Sequence, residues 1–286
     1  MTVKFNAYIR LTRLDKPIGI LLLLWPTLWG LWFAAGGLPP LAILSVFVAG
    51  VVLMRSAGCA INDYADRDFD GLVARTCQRP LATREIHPRA AVWLAVTLAV
   101  LALLILLPIA TPLLLGMAVM AAFLAASYPF TKRFLAIPQA YLGLSFGFGI
   151  PMAYAAVQGS IPTEAWLLLL ANLFWSVAYD TEYAMVDRAD DLKIGIRTSA
   201  ITFGRFDVAA VMGCYAITLA LLAWVGAQEA LGGLFWLGLG AAAGIAAYHY
   251  RLIRHRTPAA CFKAFLHNTW FGAAVFIGLA LDYAIG

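Results

Sequence analysis

This sequence predicts an all-α, polytopic membrane bundle of about nine transmembrane helices, and three observations predict it. The chain is 63% hydrophobic and 12% charged over 286 residues, roughly half the charged fraction of a soluble globular domain. Its apolar residues are gathered into runs long enough to cross a bilayer. Its Lys and Arg residues are confined almost entirely to alternate connections between those runs.

In order, the spans fall at about 17–35, 41–61, 90–108, 110–127, 138–157, 163–182, 207–226, 231–250 and 265–284. Pro17 suits the first turn of the first span. No small-residue cleavage site follows that span, which is therefore expected to be retained. Pro108 and Pro112 mark the break between spans three and four. Gly143, Gly147 and Gly149 in span five permit close helix approach, for packing or for an apolar groove between helices. With a cytoplasmic N-terminus, the cytoplasmic segments are 1–16, 62–89, 128–137, 183–206 and 251–264, and they hold 19 of the 20 Lys and Arg residues. The exception is Arg55, inside span two. The opposite connections, at 36–40, 109–111, 158–162 and 227–230, hold none. The chain is thus expected to begin inside and end outside, as one integral-membrane domain over residues 1–286. Topology-setting loops and anionic lipid account for the net charge of +5, so it points to no nucleic acid partner. Cys59, Cys77, Cys214 and Cys261 form no close pair, and all sit in spans or on the cytoplasmic side, where disulfides are disfavoured.

Nine of the 15 acidic residues lie in two short windows, at the ends of spans two and six. Carboxylates beside hydrocarbon are costly unless a cation or a function compensates for them. The first window holds Asn62, Asp63, Asp66, Asp68 and Asp70. If span two continues as a helix through residue 70, then Asn62, Asp66 and Asp70 fall at successive i,i+4 positions, with Asp63 beside them and Asp68 facing solvent. The second window places Asp187 four residues before Asp191 and three before Asp190. Asp180 lies two turns earlier, Tyr183 shares the Asp187 stripe, and Glu182 lies off it. Like charges so spaced repel, and a hard cation with oxygen ligands relieves them; Mg²⁺ characteristically combines one or two carboxylates with substrate phosphates and water. Two such helix ends facing each other would hold one or two Mg²⁺ ions against a diphosphate and neutralise it as a leaving group. The bland alternative is a pair of solvated helix ends.

Cations suited to phosphate follow each window: Arg75 and Arg79 after the first, Lys132 and Arg133 after span four, Lys193 and Arg197 after the second. Each would equally serve to orient the bundle. Arg55 shares the acidic stripe deeper in span two, either paired with Asp180 or open to an anionic group of a second substrate. Arg13, Asp15 and Lys16 suit a helix anchor. Asn172 is placed either at the same cavity or in an interhelical hydrogen bond. His87, His249, His255 and His267 have no ligand-like spacing.

At these residues the chain resembles the UbiA superfamily of intramembrane prenyltransferases. Asn62, Asp63, Asp66 and Asp70, with Arg75 and Arg79-Pro80-Leu81, match its NDxxDxxxD motif and tail. Asp180-Thr181-Glu182-Tyr183 through Asp187 and Asp190-Asp191, then Lys193, resemble its second aspartate motif, although Ala189 stands where aspartate is frequent. Tyr128-Pro129-Phe130-Thr131-Lys132-Arg133 resembles the motif between them. Arg55-Ser56-Ala57-Gly58-Cys59 and Tyr179-Asp180-Thr181 are similar to the bacterial branch that prenylates 4-hydroxybenzoate for ubiquinone. The resemblance implies a polyprenyl diphosphate and 4-hydroxybenzoate as substrates, membrane lipid as surroundings, the bacterial inner membrane as location, and prenylation of the ring carbon ortho to the hydroxyl. It further implies Mg²⁺ held among Asn62, Asp63, Asp66, Asp70, Asp187, Asp190 and Asp191. Chemistry would centre on Asp66, Asp187, Asp191, Lys132 and Arg79. Arg75, Arg133, Lys193, Arg55, Asp180 and Tyr183 would bind substrate, with Arg55 at the acceptor carboxylate. Two alternatives stand beside this reading. One is the same chemistry on another aromatic or tetrapyrrole acceptor. The other is a cation or polyprenyl-phosphate transporter, which would need acidic residues near the bilayer midplane.

Overall fold

The computed structural model describes residues 2–73 and 75–285, and their regular structure is helical throughout. Ahead of the first span lies a helix the hydropathy did not predict, α1 (Thr2–Thr12). The first four spans become α2 (Ile18–Ala35), α3 (Leu41–Asp66), α4 (Pro88–Leu106) and α5 (Pro112–Thr131). Span five is broken into α6 (Pro138–Gly147) and α7 (Gly149–Val157). Pro151 explains the break: it has no N–H to give the Gly147 carbonyl four residues back. Span six is α8 (Thr163–Ile194), followed by the short α9 (Ser199–Phe203). The last three spans are α10 (Asp207–Gln228), α11 (Gly233–Ile253) and α12 (Pro258–Ile285).

All nine predicted runs are therefore helical. Among the described residues, seven helical stretches are long and apolar enough to cross a membrane. The two runs outside that set are α8, which carries the second acidic window, and α11, which carries Tyr248-His249-Tyr250. Elsewhere the bundle turns large apolar side chains outward: Trp93, Val100 and Leu104 on α4, and Val119 and Phe123 on α5, are exposed. Such a continuous apolar exterior suits hydrocarbon and not water. The chain is a multi-pass membrane protein.

Its core is aromatic where α2, α8, α10 and α12 converge. Trp29 and Trp175 lie 5.2 Å apart between ring centroids, and Trp175 stacks on Phe271 at 5.5 Å. Each buried indole N–H finds an acceptor, Gly272 O for Trp29 and Asn268 Oδ1 for Trp175. The glycine run of span five is a packing feature on its α8 side. A Cβ at Gly143 would come within 2.8 Å of Leu173 Cα, so only glycine lets α6 approach α8 this closely. Asn172 is part of that contact, donating from Nδ2 to Gly143 O at 2.9 Å, which settles its place as an interhelical bond.

Side-chain contacts tie the five basic segments to one end of the bundle. Arg10 pairs with Glu85, Arg13 with Asp63 at 2.7 Å, and Lys132 with Asp66 at 2.9 Å. Arg188 and Arg256 both pair with the buried Asp207. At the other end Gln158 donates to Ala34 O, and Asp282 accepts from Gly232 N and Leu234 N. The basic connections thus share one face of the molecule.

Candidate active site

The end of α3 sets the geometry of the site. The expected continuation of this helix through residue 70 does not occur. α3 stops at Asp66, residues 67–69 turn, and Asp70 opens a single 3₁₀ turn over Asp70–Leu72. Asp70 is therefore off the Asn62/Asp66 stripe. Its burial explains the change: a carboxylate 5% exposed needs a partner, and the turn delivers it to Arg79, whose Nη1 lies 2.9 Å from both carboxylate oxygens. Thr76 Oγ1 donates to Asp70 O at 2.8 Å and braces the turn.

The loop then folds back toward the second acidic window. Arg75 reaches Asp187 on α8 through Nε, 3.1 and 3.0 Å from its two oxygens, and through Nη2 at 2.5 Å. Its guanidinium also covers the Tyr183 ring at 4.3 Å. One fork joins the two windows. Arg79 Nη1 is also 3.2 Å from Asp63, and Lys132, just past α5, lies over the Tyr128 ring at 5.8 Å.

These groups line one cavity of about 800 Å³. Its walls contain Asn62, Asp63, Asp66, Asp70, Arg75, Arg79, Lys132, Tyr183, Asp187 and Asp191, with Arg55 and Asp180 on the wall shared with Tyr128 and Phe146. Four anticipated residues, Arg133, Asp190, Lys193 and Arg197, stand off the cavity lining. Arg133 donates to Ala65 O at 3.2 Å, and Lys193 pairs with Asp190 on the exposed last turns of α8 at 3.0 Å. Arg197 donates to Phe134 O.

The charges are mutually set. Burial lifts Asp70 above the ordinary carboxylate range, and Arg79 opposes that rise. Burial alone would lower Arg79 and Lys132; Asp63 and Asp70 more than reverse this for Arg79, as Asp66 does for Lys132, so both are held firmly cationic.

Among the described residues no group of three or more His, Cys, Asp or Glu side chains is gathered closely enough to hold a metal by itself. Asn62 Oδ1 and Asp63 Oδ2, however, are buried oxygens with no hydrogen-bond partner, and unmet acceptors of this kind cost on the order of 1–3 kcal/mol each. With Asp66, Asp70, Asp187 and Asp191 on the same cavity, the donor set is all oxygen. It fits a hard divalent cation that takes few protein ligands and completes its shell with substrate phosphate and water.

Several lining residues escape a reading of the sequence. Arg13, Asp15 and Lys16 reach the cavity instead of merely anchoring α1 and α2. Gln139, at the start of α6, lines the cavity and accepts from Ser199 N at 2.9 Å; a lone amide carries no pattern that would single it out. Arg55 is not paired with Asp180 by an ion pair, and its Nε is buried without a hydrogen-bond partner. Glu182, two positions past Asp180, is absent from the cavity lining and lies in a buried polar cluster. Tyr215 Oη lies 3.1 Å from Glu182 Oε1, and 2.8 Å from both Asn268 Oδ1 and His249 Nδ1. His249 Nε2 is in turn 3.1 Å from His267 Nδ1, so two histidines without ligand-like spacing meet in space.

The description "UbiA prenyltransferase family" belongs to a family model that matches residues 23–274. A 4-hydroxybenzoate octaprenyltransferase from Azoarcus sp. (strain BH72) is 69% identical over 283 residues, spanning 99% of this chain and 98% of that protein. Among solved structures, an apo UbiA homolog from Aeropyrum pernix K1 superposes with a TM-score of 0.82 at 24% identity, covering 92% of this chain and 97% of its own. A UbiA homolog from Archaeoglobus fulgidus bound to GPP and Mg²⁺ gives 0.71 at 19% identity, covering 97% and 99%. These two distant structures establish likeness of fold.

Proposed function

Because the chain belongs to the UbiA prenyltransferase family, we propose that it transfers a polyprenyl group from polyprenyl diphosphate to the carbon ortho to the hydroxyl of 4-hydroxybenzoate. The products are 3-polyprenyl-4-hydroxybenzoate and diphosphate, a step of ubiquinone synthesis. One observation carries the reading: both acidic windows and three paired cations line a single cavity whose adjoining wall holds an unpaired arginine. An ionising diphosphate needs the first set, and an anionic aromatic acceptor needs the arginine.

In the resting protein Arg75, Arg79 and Lys132 each neutralise a carboxylate. An arriving diphosphate competes for these cations and releases oxygen ligands on both windows. Asn62, Asp63, Asp66, Asp70, Asp187 and Asp191 would then hold Mg²⁺, with Asp190 near the rim. Bound there, Mg²⁺ supplies positive charge to the diphosphate oxygens. Arg75, Arg79 and Lys132 stabilise the charge that develops as the allylic C–O bond breaks, with Arg133 and Lys193 adding to the positive field around the mouth. Tyr183 backs Arg75. Arg55 receives the acceptor carboxylate and so turns the ring toward the allylic carbon. The ring carbon attacks, and its proton leaves with Asp180 or Asp191 assisting. Everything else the protein does is orientation and exclusion of water.

We read residues 1–286 as one catalytic domain in the bacterial inner membrane. The basic connections and the site face the cytoplasm, and the C-terminus lies on the other side. The test is product formation in membranes or detergent with Mg²⁺, a polyprenyl diphosphate and 4-hydroxybenzoate, with homogentisate as competing acceptor. Prenylated 4-hydroxybenzoate, absent without Mg²⁺ and lost in the Asp66→Asn/Asp187→Asn variant, is the expected result. Diphosphate binding with 4-hydroxybenzoate untouched would overturn the acceptor assignment, and no diphosphate binding in folded protein would overturn the whole.

A further inference from the structure

Gly19 sits in the first turn of α2, on the cavity wall beside Arg55. Its backbone is ordinary helix, with no positive φ to require glycine. Any residue can adopt this helical backbone, so conformation gives no reason for glycine here. Space does. A Cβ at Gly19 would come within 2.8 Å of Arg55 Cζ, and closer still to Nε and Nη2. On another side the guanidinium lies against the Phe146 ring, 5.4 Å from its centroid. Arg55 is thus held by a missing side chain and by an aromatic face, while its Nε remains without a hydrogen-bond partner.

We propose that Gly19 is a positioning residue for the aromatic acceptor: the slot left by its absent side chain fixes the Arg55 guanidinium where it meets the acceptor's carboxylate. This rests on the reading of Arg55 given above. The clash falls on the far end of a flexible side chain and not on backbone, so adding a methyl group should displace the guanidinium and leave the helix in place. A displacement of about 1 Å at an orienting group can cost on the order of 100-fold.

The experiment compares Gly19→Ala, Arg55→Gln and the double variant in the full-length protein, using 4-hydroxybenzoate and its uncharged counterpart 4-hydroxybenzamide. Gly19→Ala should raise KM for 4-hydroxybenzoate roughly 10- to 100-fold. KM for polyprenyl diphosphate, the thermal midpoint and turnover of the amide should stay near wild type. In the Arg55→Gln background, Gly19→Ala should add nothing further. If Arg55→Gln leaves KM for 4-hydroxybenzoate unchanged, the role of Arg55 fails and the inference with it. If Arg55→Gln raises KM but Gly19→Ala does not, only the slot is overturned. Equal losses on acid and amide would overturn it as well. Should Gly19→Ala lower the thermal midpoint, the Gly19→Ala/Arg55→Ala pair decides: recovery once the guanidinium is gone sustains the slot, and no recovery overturns it.

Discussion

α8 carries buried carboxylates on two opposite faces, and the two faces are built differently. On one, Asp180, Tyr183, Asp187 and Asp191 line the cavity, and Asp187 takes its partner, Arg75, from the loop beyond α3. On the other, Glu182 is fully buried, and both its oxygens are met inside the bundle, by Tyr215 at 3.1 Å and by Asn268 at 2.8 Å. Two residues separate Asp180 from Glu182, or about 200° around the helix axis. The cavity face is made of ion pairs between partly accessible groups, which a charged ligand can exchange. The far face is a set of hydrogen bonds among side chains of α8, α10, α11 and α12, in which Glu182, Tyr215, His249 and Asn268 are all buried. Burial of a carboxylate is thus no sign of chemistry by itself; what distinguishes the working face is partners that a substrate can displace.

The sharpest way to break this contrast is Asp187→Asn. It should lower turnover by roughly 10²- to 10³-fold, the scale of losing a transition-state charge contact. The thermal midpoint should barely move, because the released Arg75 is 30% exposed and can hydrate. A large drop in midpoint with turnover per folded molecule intact would make the cavity face structural. Glu182→Ala should show the reverse. Taking one hydrogen bond from Tyr215 Oη, which keeps Asn268 Oδ1 and His249 Nδ1, and one from Asn268 Nδ2, which keeps Ala264 O, should remove about 1–3 kcal/mol of stability, read by denaturant unfolding in detergent, while specific activity of the folded fraction stays near wild type. A selective loss of activity would tie the far network to catalysis. Glu182→Gln keeps one oxygen acceptor and should lose no more than about 1 kcal/mol. Least affected should be Lys193→Ala. Its pairing with Asp190 is 73% exposed on the lysine side, and exposed pairs contribute about 0–1 kcal/mol. Activity changed more than about twofold would bring Lys193 to the substrate.

The cavity face was legible because its signal is local. Asp180, Asp187 and Asp191 recur at helical spacing, and the basic residues that follow each window are visible as runs. The placement of Asp70 off the stripe is not legible, because the turn at 67–69 has no proline or glycine to announce it. The far network was invisible for a different reason. Glu182 meets Tyr215 across 33 residues and Asn268 across 86, and no periodicity links them. Gly19 and Arg55 likewise belong to different helices, and a glycine in an apolar span carries no message about a neighbour not yet in place.

By itself the sequence determined the bundle, because a bilayer leaves the backbone no option but internal hydrogen bonds, and hydropathy therefore reports helices directly. It also determined which residue types gather at one end, because basic connections are sorted by side of the membrane. Only the tertiary structure decided which acid meets which base, which of Asp190 and Asp191 faces the cavity, and that Arg55 is the cavity arginine left without a partner. Those choices depend on contacts between helices dozens of residues apart, where a few ångströms separate a paired charge from an open one.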